Sequence, residues 1–78
     1  MITMILFQLN EIISNYTGEY ILNINNTLKN DLGLDSLIIV DVLIQIEETF
    51  GIEFDESDLE LQNLKTVKDL IQLVEKKL

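Results

Sequence analysis

The sequence predicts an all-α fold, a small bundle of three main helices and one short helix with a long loop after the first. Apolar residues recur at spacings of three and four in separate stretches, and helix start and stop residues bracket two of them. The composition suits a packed core, since 47% of the 78 residues are apolar and none is Cys. Without a disulfide to staple it, a chain of this length must draw its stability from such a core. Residues 1–78 read as a single domain, with no internal repeat or low-complexity segment.

The first helix is expected over roughly residues 2–14, where Ile2, Ile5, Leu6, Leu9, Ile12 and Ile13 form one stripe while Met4 and Phe7 fall off it. Residues 1–9 are apolar, but no Lys or Arg precedes them, Asn10 and Glu11 soon interrupt them, and no small-residue cleavage site follows. A core helix is therefore expected rather than a leader. Residues 15–30 hold five Asn and a Gly and read as a long ordered loop, pinned by Tyr20, Leu22, Ile24 and Leu28, with Tyr16 a further anchor. A loop this long in so small a domain suggests that it holds a functional segment in place.

Asp35 is the natural N-cap of the second helix, residues 36–50, which ends at Gly51. Val42, Leu43, Ile46 and Phe50 suit its core face. Leu37, Ile38, Val40 and Ile44 exceed what one buried stripe requires, so some of them are expected at the surface. Asp55 to Asp58 with Leu59 and Leu61 suit a short helical turn. Thr66 and Asp69 form a capping-box pattern opening the last helix, with Val67, Leu70, Ile71 and Val74 as its core stripe.

Charge and composition narrow the function. Fourteen acidic residues against five Lys give a net charge of -9, which repels nucleic acid phosphates and anionic lipid and favours partners with basic patches. The zero counts of Cys and His remove the usual zinc ligands, the thiol nucleophile and the acid/base group that titrates nearest neutrality. No catalytic residue and no metal site are predicted, and residues 55–63 lack the central glycine and the terminal Glu spacing of an EF-hand loop. No apolar run approaches the length of a membrane span, so a cytoplasmic location is the default.

One segment carries chemistry. Asp31-Leu32-Gly33-Leu34-Asp35-Ser36-Leu37 sets a hydroxyl at the first turn of a helix, directly after a turn containing Gly. Unpaired N–H groups and the positive end of the helix dipole favour an anion there, so a phosphodiester on Ser36 would sit in a favourable field.

This heptapeptide resembles the modification site of acyl carrier proteins, Asp-Leu-Gly-x-Asp-Ser-Leu, with Leu34 as the variable residue. The likeness continues through Val40, Asp41, Ile44, Glu47, Glu48, Phe50 and Gly51, then Ile52-Glu53-Phe54, and reaches Leu64-Lys65-Thr66-Val67. Before Leu28 only the layout of helix and loop matches. The resemblance implies a four-helix bundle in which Ser36 receives 4'-phosphopantetheine from coenzyme A through a phosphopantetheinyl transferase, and the arm's thiol holds cargo as a thioester. It implies that Asp35, besides capping the helix, helps the transferase. It also implies a partner surface on the second helix, here Leu37, Ile38, Val40, Asp41, Ile44, Glu47 and Glu48, that meets Lys and Arg on acyl- or aminoacyl-loading and downstream biosynthetic enzymes. Independently of the resemblance, residues 31–60 hold ten acidic residues and no Lys or Arg, a field that speeds encounter with basic partners.

Two departures bear on the pathway. Ile38 and Ile39 stand where carriers of fatty acid synthesis are commonly polar, and residues 55–63 lack a proline frequent in those carriers. Both point toward a specialised polyketide, nonribosomal peptide or related pathway. The alternatives are a peptidyl or aminoacyl carrier loaded by an adenylating enzyme and, in another class, an acidic helical adaptor with no covalent arm. A monomer without nucleic acid or membrane partners is expected.

Overall fold

The computed structural model describes residues 2–18 and 23–78, the side chains of Ile2, Thr3 and Leu61 excepted. Among the described residues, three α-helices form the frame: α1, Ile2–Thr17; α2, Ser36–Phe50; and α3, Val67–Lys77. Helix α1 packs against both α2 and α3. The expected short helix consists of two 3₁₀ turns, Glu56–Leu59 and Leu61–Asn63.

Helix α1 runs one turn beyond the expected residue 14, which places Tyr16 on the helix, exposed, and not in the loop. Gly18, with a positive φ of 76°, follows its last residue, and its N–H donates to the Ser14 carbonyl at 2.8 Å. The predicted stripe is otherwise the buried one. Ile5, Leu9, Ile12 and Ile13 are buried, Leu6 is half-buried, and Met4 and Phe7 are exposed. The expected anchors Tyr20 and Leu22, and the Ile2 side chain, lie outside the described residues, whereas Leu28 is buried and Ile24 packs on the core.

Helix α2 is bounded as its end residues dictate. The Asp35 carboxylate accepts the Ile38 N–H at 2.9 Å, and Gly51 closes the helix at φ 66°, a conformation that costs a side chain about 1–2 kcal/mol. Its inner face is Ile39, Val42, Leu43 and Ile46, with Phe50 half-buried behind them. Ile39, read from sequence as part of the greasy partner surface, is only 7% exposed and belongs to the core. It lies three and four residues before Val42 and Leu43, so the same stripe runs one turn further toward the N-terminus than expected.

The loop ahead of α2 is tied to the start of α3. An antiparallel bridge pairs Thr27 with Thr66. The Leu28 N–H donates to the Lys65 carbonyl at 2.8 Å, while Val67 and Lys68 donate to the Asn26 and Ile24 carbonyls at 3.1 and 2.8 Å. The first turn of a helix has donors without acceptors inside that helix, and here the loop supplies them. The capping box adds to this: Asp69 N–H donates to Thr66 Oγ1 at 3.3 Å, and the Asp69 carboxylate accepts the N–H of Thr66 at 3.0 Å.

The 3₁₀ segment is fastened to the end of α3 by charge. Asp58, its side chain 3% exposed, accepts from Lys77 Nζ at 2.7 Å and Lys76 Nζ at 3.2 Å, and Lys77 also reaches Asp55 at 3.0 Å. The Lys77 ammonium, then the Asp55 backbone N–H, hold the Asp58 carboxyl down to about 2, and hydrogen bonds to the Asp58 and then the Asp55 carboxylate raise the Lys77 ammonium. A depressed carboxyl contributes stability that is complete above its unfolded value near 3.8 and disappears as pH falls through about 2. Wild type is therefore expected to melt above Asp58→Asn at neutral pH, with the gap closing between pH 4 and pH 2. A gap that is constant across that range in a calorimetric series would contradict this assignment.

Candidate functional site

The segment before α2 is folded by its own polar groups. Thr27 and Asp31 bond reciprocally, Thr27 N–H to the Asp31 carboxylate at 2.8 Å and Asp31 N–H to Thr27 Oγ1 at 3.0 Å. Gly33 then takes φ 69°, the left-handed conformation that a side chain resists. This turns Leu34 inward, where it is buried and its N–H donates to the Leu28 carbonyl at 2.9 Å. Leu34 is thus the anchor of the segment, although in the sequence motif it is the variable position.

With Leu34 buried and Asp35 capping, Ser36 becomes the first residue of α2 and is exposed. Its hydroxyl makes no hydrogen bond among the described residues. The first turn of a helix has N–H groups without acceptors inside it, and of these the Ile38 N–H is taken by the Asp35 carboxylate, so those of Ser36 and Leu37 remain for an anion at this helix start. A covalent phosphodiester fits this position, with a free hydroxyl to bond to and amide donors beside its charge. A groove of about 410 Å³ opens next to it, bordered by Leu34, Ile39 and Leu64 and by polar residues of the two tied loops.

The residues proposed for partner contact divide. Leu37 (79% exposed), Val40 and Ile44 are exposed apolar residues, and Asp41 and Glu48 are exposed acids. Their spacing of three, one, three and four places all five on one face, opposite the buried stripe. Ile38 is half-buried and packs against the core. Glu47 is half-buried, and its carboxylate accepts the Phe54 N–H at 2.8 Å, so that acid organises the chain leaving α2. Among the described residues, no group of three or more acids is placed to hold a metal ion, and no helix is long and apolar enough to cross a membrane.

Sequence reasoning missed Leu34, Leu64 and the groove they border. The residues around it come from 27–36, Ile39 and 62–65, segments without periodicity whose approach depends on the Thr27 to Thr66 bridge.

Comparison with known proteins agrees with this geometry. Residues 8–74 match the family model described as a phosphopantetheine attachment site. The chain is 46% identical over 57 residues to the acyl carrier protein of Coprothermobacter proteolyticus, a match covering 73% of this chain and 67% of that protein. It is 45% identical over 51 residues to the acyl carrier protein of Thermotoga maritima, covering 65% and 60% of the two chains. The crystal structure of an acyl carrier protein from Thermotoga maritima superposes with a TM-score of 0.81 at 28% identity, covering 97% of this chain and 88% of that one. An all-α fold with a capped serine at the start of α2, together with these matches, means that the chain belongs to the acyl carrier protein family, whose members are carriers rather than catalysts and hold a covalent 4'-phosphopantetheine.

Proposed function

We propose that Ser36 bears the 4'-phosphopantetheine arm and that the protein delivers acyl intermediates, held as thioesters, to successive biosynthetic enzymes. The observation that carries this is the exposed, unbonded Ser36 hydroxyl at the first position of α2, held there by the Asp35 cap and the buried Leu34. When bound, the arm supplies a thiol on a long tether, so cargo is held covalently and still reaches distant active sites. The chain's own part is to fix the root of that tether and to offer a docking face.

That face is Leu37, Val40, Asp41, Ile44 and Glu48. Its mixture of aliphatic and acidic groups suits enzymes with a basic rim around an apolar patch, the transferase among them. The aliphatic share supports a specialised pathway, of the polyketide, nonribosomal peptide or related kind, as does the proline-free segment 55–63. Ile39, being buried, no longer contributes to that inference. The form Leu-Gly-x-Asp-Ser-Leu favours acyl over aminoacyl cargo. We expect a cytoplasmic monomer.

Intact mass before and after incubation with coenzyme A and a promiscuous phosphopantetheinyl transferase tests the arm. Offering the modified protein to acyl-loading and to amino-acid-adenylating enzymes tests the cargo, and loading only by the adenylating enzymes would reverse the preference stated here. Asp41→Asn with Glu48→Gln is expected to slow transfer by the transferase several-fold at low salt through encounter rate, with the difference shrinking as salt screens it. Equal rates at low salt would remove these two acids from the docking face.

A further inference from the structure

A second groove, of about 420 Å³, lies between α1 and α2, bordered by Phe7, Glu11 and Ile12 on one side and by Gln45 and Thr49 on the other. It shares no residue with the groove beside Ser36. The core stripe of α1 is complete in Ile5, Leu9, Ile12 and Ile13, yet Met4 and Phe7 stand one turn apart at 68% and 65% exposure. Glu11 and Asn15 continue the row from Phe7 at a spacing of four and are exposed as well. A lone exposed apolar residue is ordinary in a soluble domain. Two on one row, leading into a groove, form an apolar edge that packing of the bundle does not require.

The charge around this groove has one sign. Helices α1 and α2 hold Glu11, Asp41, Glu47 and Glu48 and no Lys or Arg, and all five Lys of the chain lie outside them. Glu47 is engaged by the Phe54 N–H, which leaves Glu11, Asp41 and Glu48 as the exposed acids of the two helices. Asp41 and Glu48 lie four residues before and three after Gln45, on the same side of α2 as that groove residue. They also belong to the docking face proposed for α2, so groove and face are continuous.

We propose that the groove between α1 and α2 is a further docking site, and that it receives a basic amphipathic helix of a partner protein. An apolar side chain of that helix packs against Phe7 and Ile12, and its Lys or Arg residues meet Glu11, Asp41 and Glu48. The helical form follows from shape, since a channel between two helices accepts a third by packing of ridges into grooves. The basic character follows from the walls, which carry acids and no cation. A second copy of this chain fits worse, because two chains of charge -9 repel. The site adjoins the α2 face and rests on that reading for its continuity, but it does not depend on an arm at Ser36.

The test uses the full chain without an arm and a synthetic helical peptide of Leu, Lys and Ala with its Leu on one face, beside a scrambled peptide of the same composition. On binding, amide chemical shifts are expected to move at Phe7, Glu11, Gln45 and Thr49. Met4→Gln/Phe7→Gln is expected to weaken binding of the patterned peptide about tenfold, with a melting temperature near that of wild type because both side chains are exposed. Glu11→Gln is an independent variant, expected to bind about twofold more weakly at low salt, the difference fading as salt screens it. Shifts confined to Leu37, Val40 and Ile44, with the double variant binding as wild type does, would overturn the groove and leave the α2 face standing; shifts at neither would remove both. Equal binding of the scrambled peptide would reduce the contact to charge and overturn the site. Sedimentation of the chain alone as a dimer that the double variant dissolves would give the groove to a second copy instead, and binding to phosphatidylcholine vesicles that the same variant abolishes would give it to lipid.

Discussion

Ser36→Ala is expected to abolish the mass gain of one phosphopantetheine arm on incubation with coenzyme A and a transferase, while the circular dichroism and melting temperature stay close to wild type. The loss is complete because the side-chain oxygen is the atom to which the phosphate would bond, and no neighbouring hydroxyl occupies the start of α2. The fold is spared because Ser36 is exposed and its hydroxyl bonds to nothing among the described residues, and because the cap of α2 is the Asp35 carboxylate. Exposed substitutions away from such contacts cost within about 0.5 kcal/mol. A folded Ser36→Ala protein that still gains the arm would move the attachment to another residue.

Ile46→Ala is expected to have the largest effect on stability. Ile46 is fully buried on the inner face of α2. Truncation of a buried Ile to Ala costs about 2–5 kcal/mol in lost burial and residual cavity. A domain of this length holds about 4–12 kcal/mol in all, so the variant gives up a large fraction of its stability and its melting temperature falls by about 10 °C or more. Because Ile46 is remote from Ser36, transferase acceptance measured well below the melting temperature should recover while stability does not. A shift of only a degree or two would mean that the helices close around the missing side chain, a core far more adaptable than its burial implies.

The two substitutions separate what was readable from what was not. Asp35, Gly51, Thr66 and Asp69 were legible because each acts on backbone groups within four residues of itself, and a cap does the same work wherever its helix packs. The stripes of α1 and α3 were legible because a helix with one core turns one face to it, and the period of that face is intrinsic to the backbone. At Ile39 the same rule held and was stopped a turn early, because a run of four apolar residues at the start of α2 offers no polar residue to mark the edge of the stripe. That α2 leaves apolar residues at the surface was legible from their excess over one buried stripe, but the orientation of Glu47 was not, since its acceptor role depends on where Phe54 passes after the turn at Gly51.

What the sequence alone determined is therefore local: three helices, the caps of two of them and most of their buried stripes, with a serine at the first position of α2. Tertiary structure decided that the variable position Leu34 is the anchor of the modification segment, that Lys76 and Lys77 lock the 3₁₀ turns through Asp58, and that segments 27–36 and 62–65 meet at one groove beside Ser36. The reason is physical. Caps and periodicities are written in neighbouring residues, whereas these three features arise only when loops and helix ends distant in the chain are brought into hydrogen-bonding range, and no short-range pattern encodes that approach.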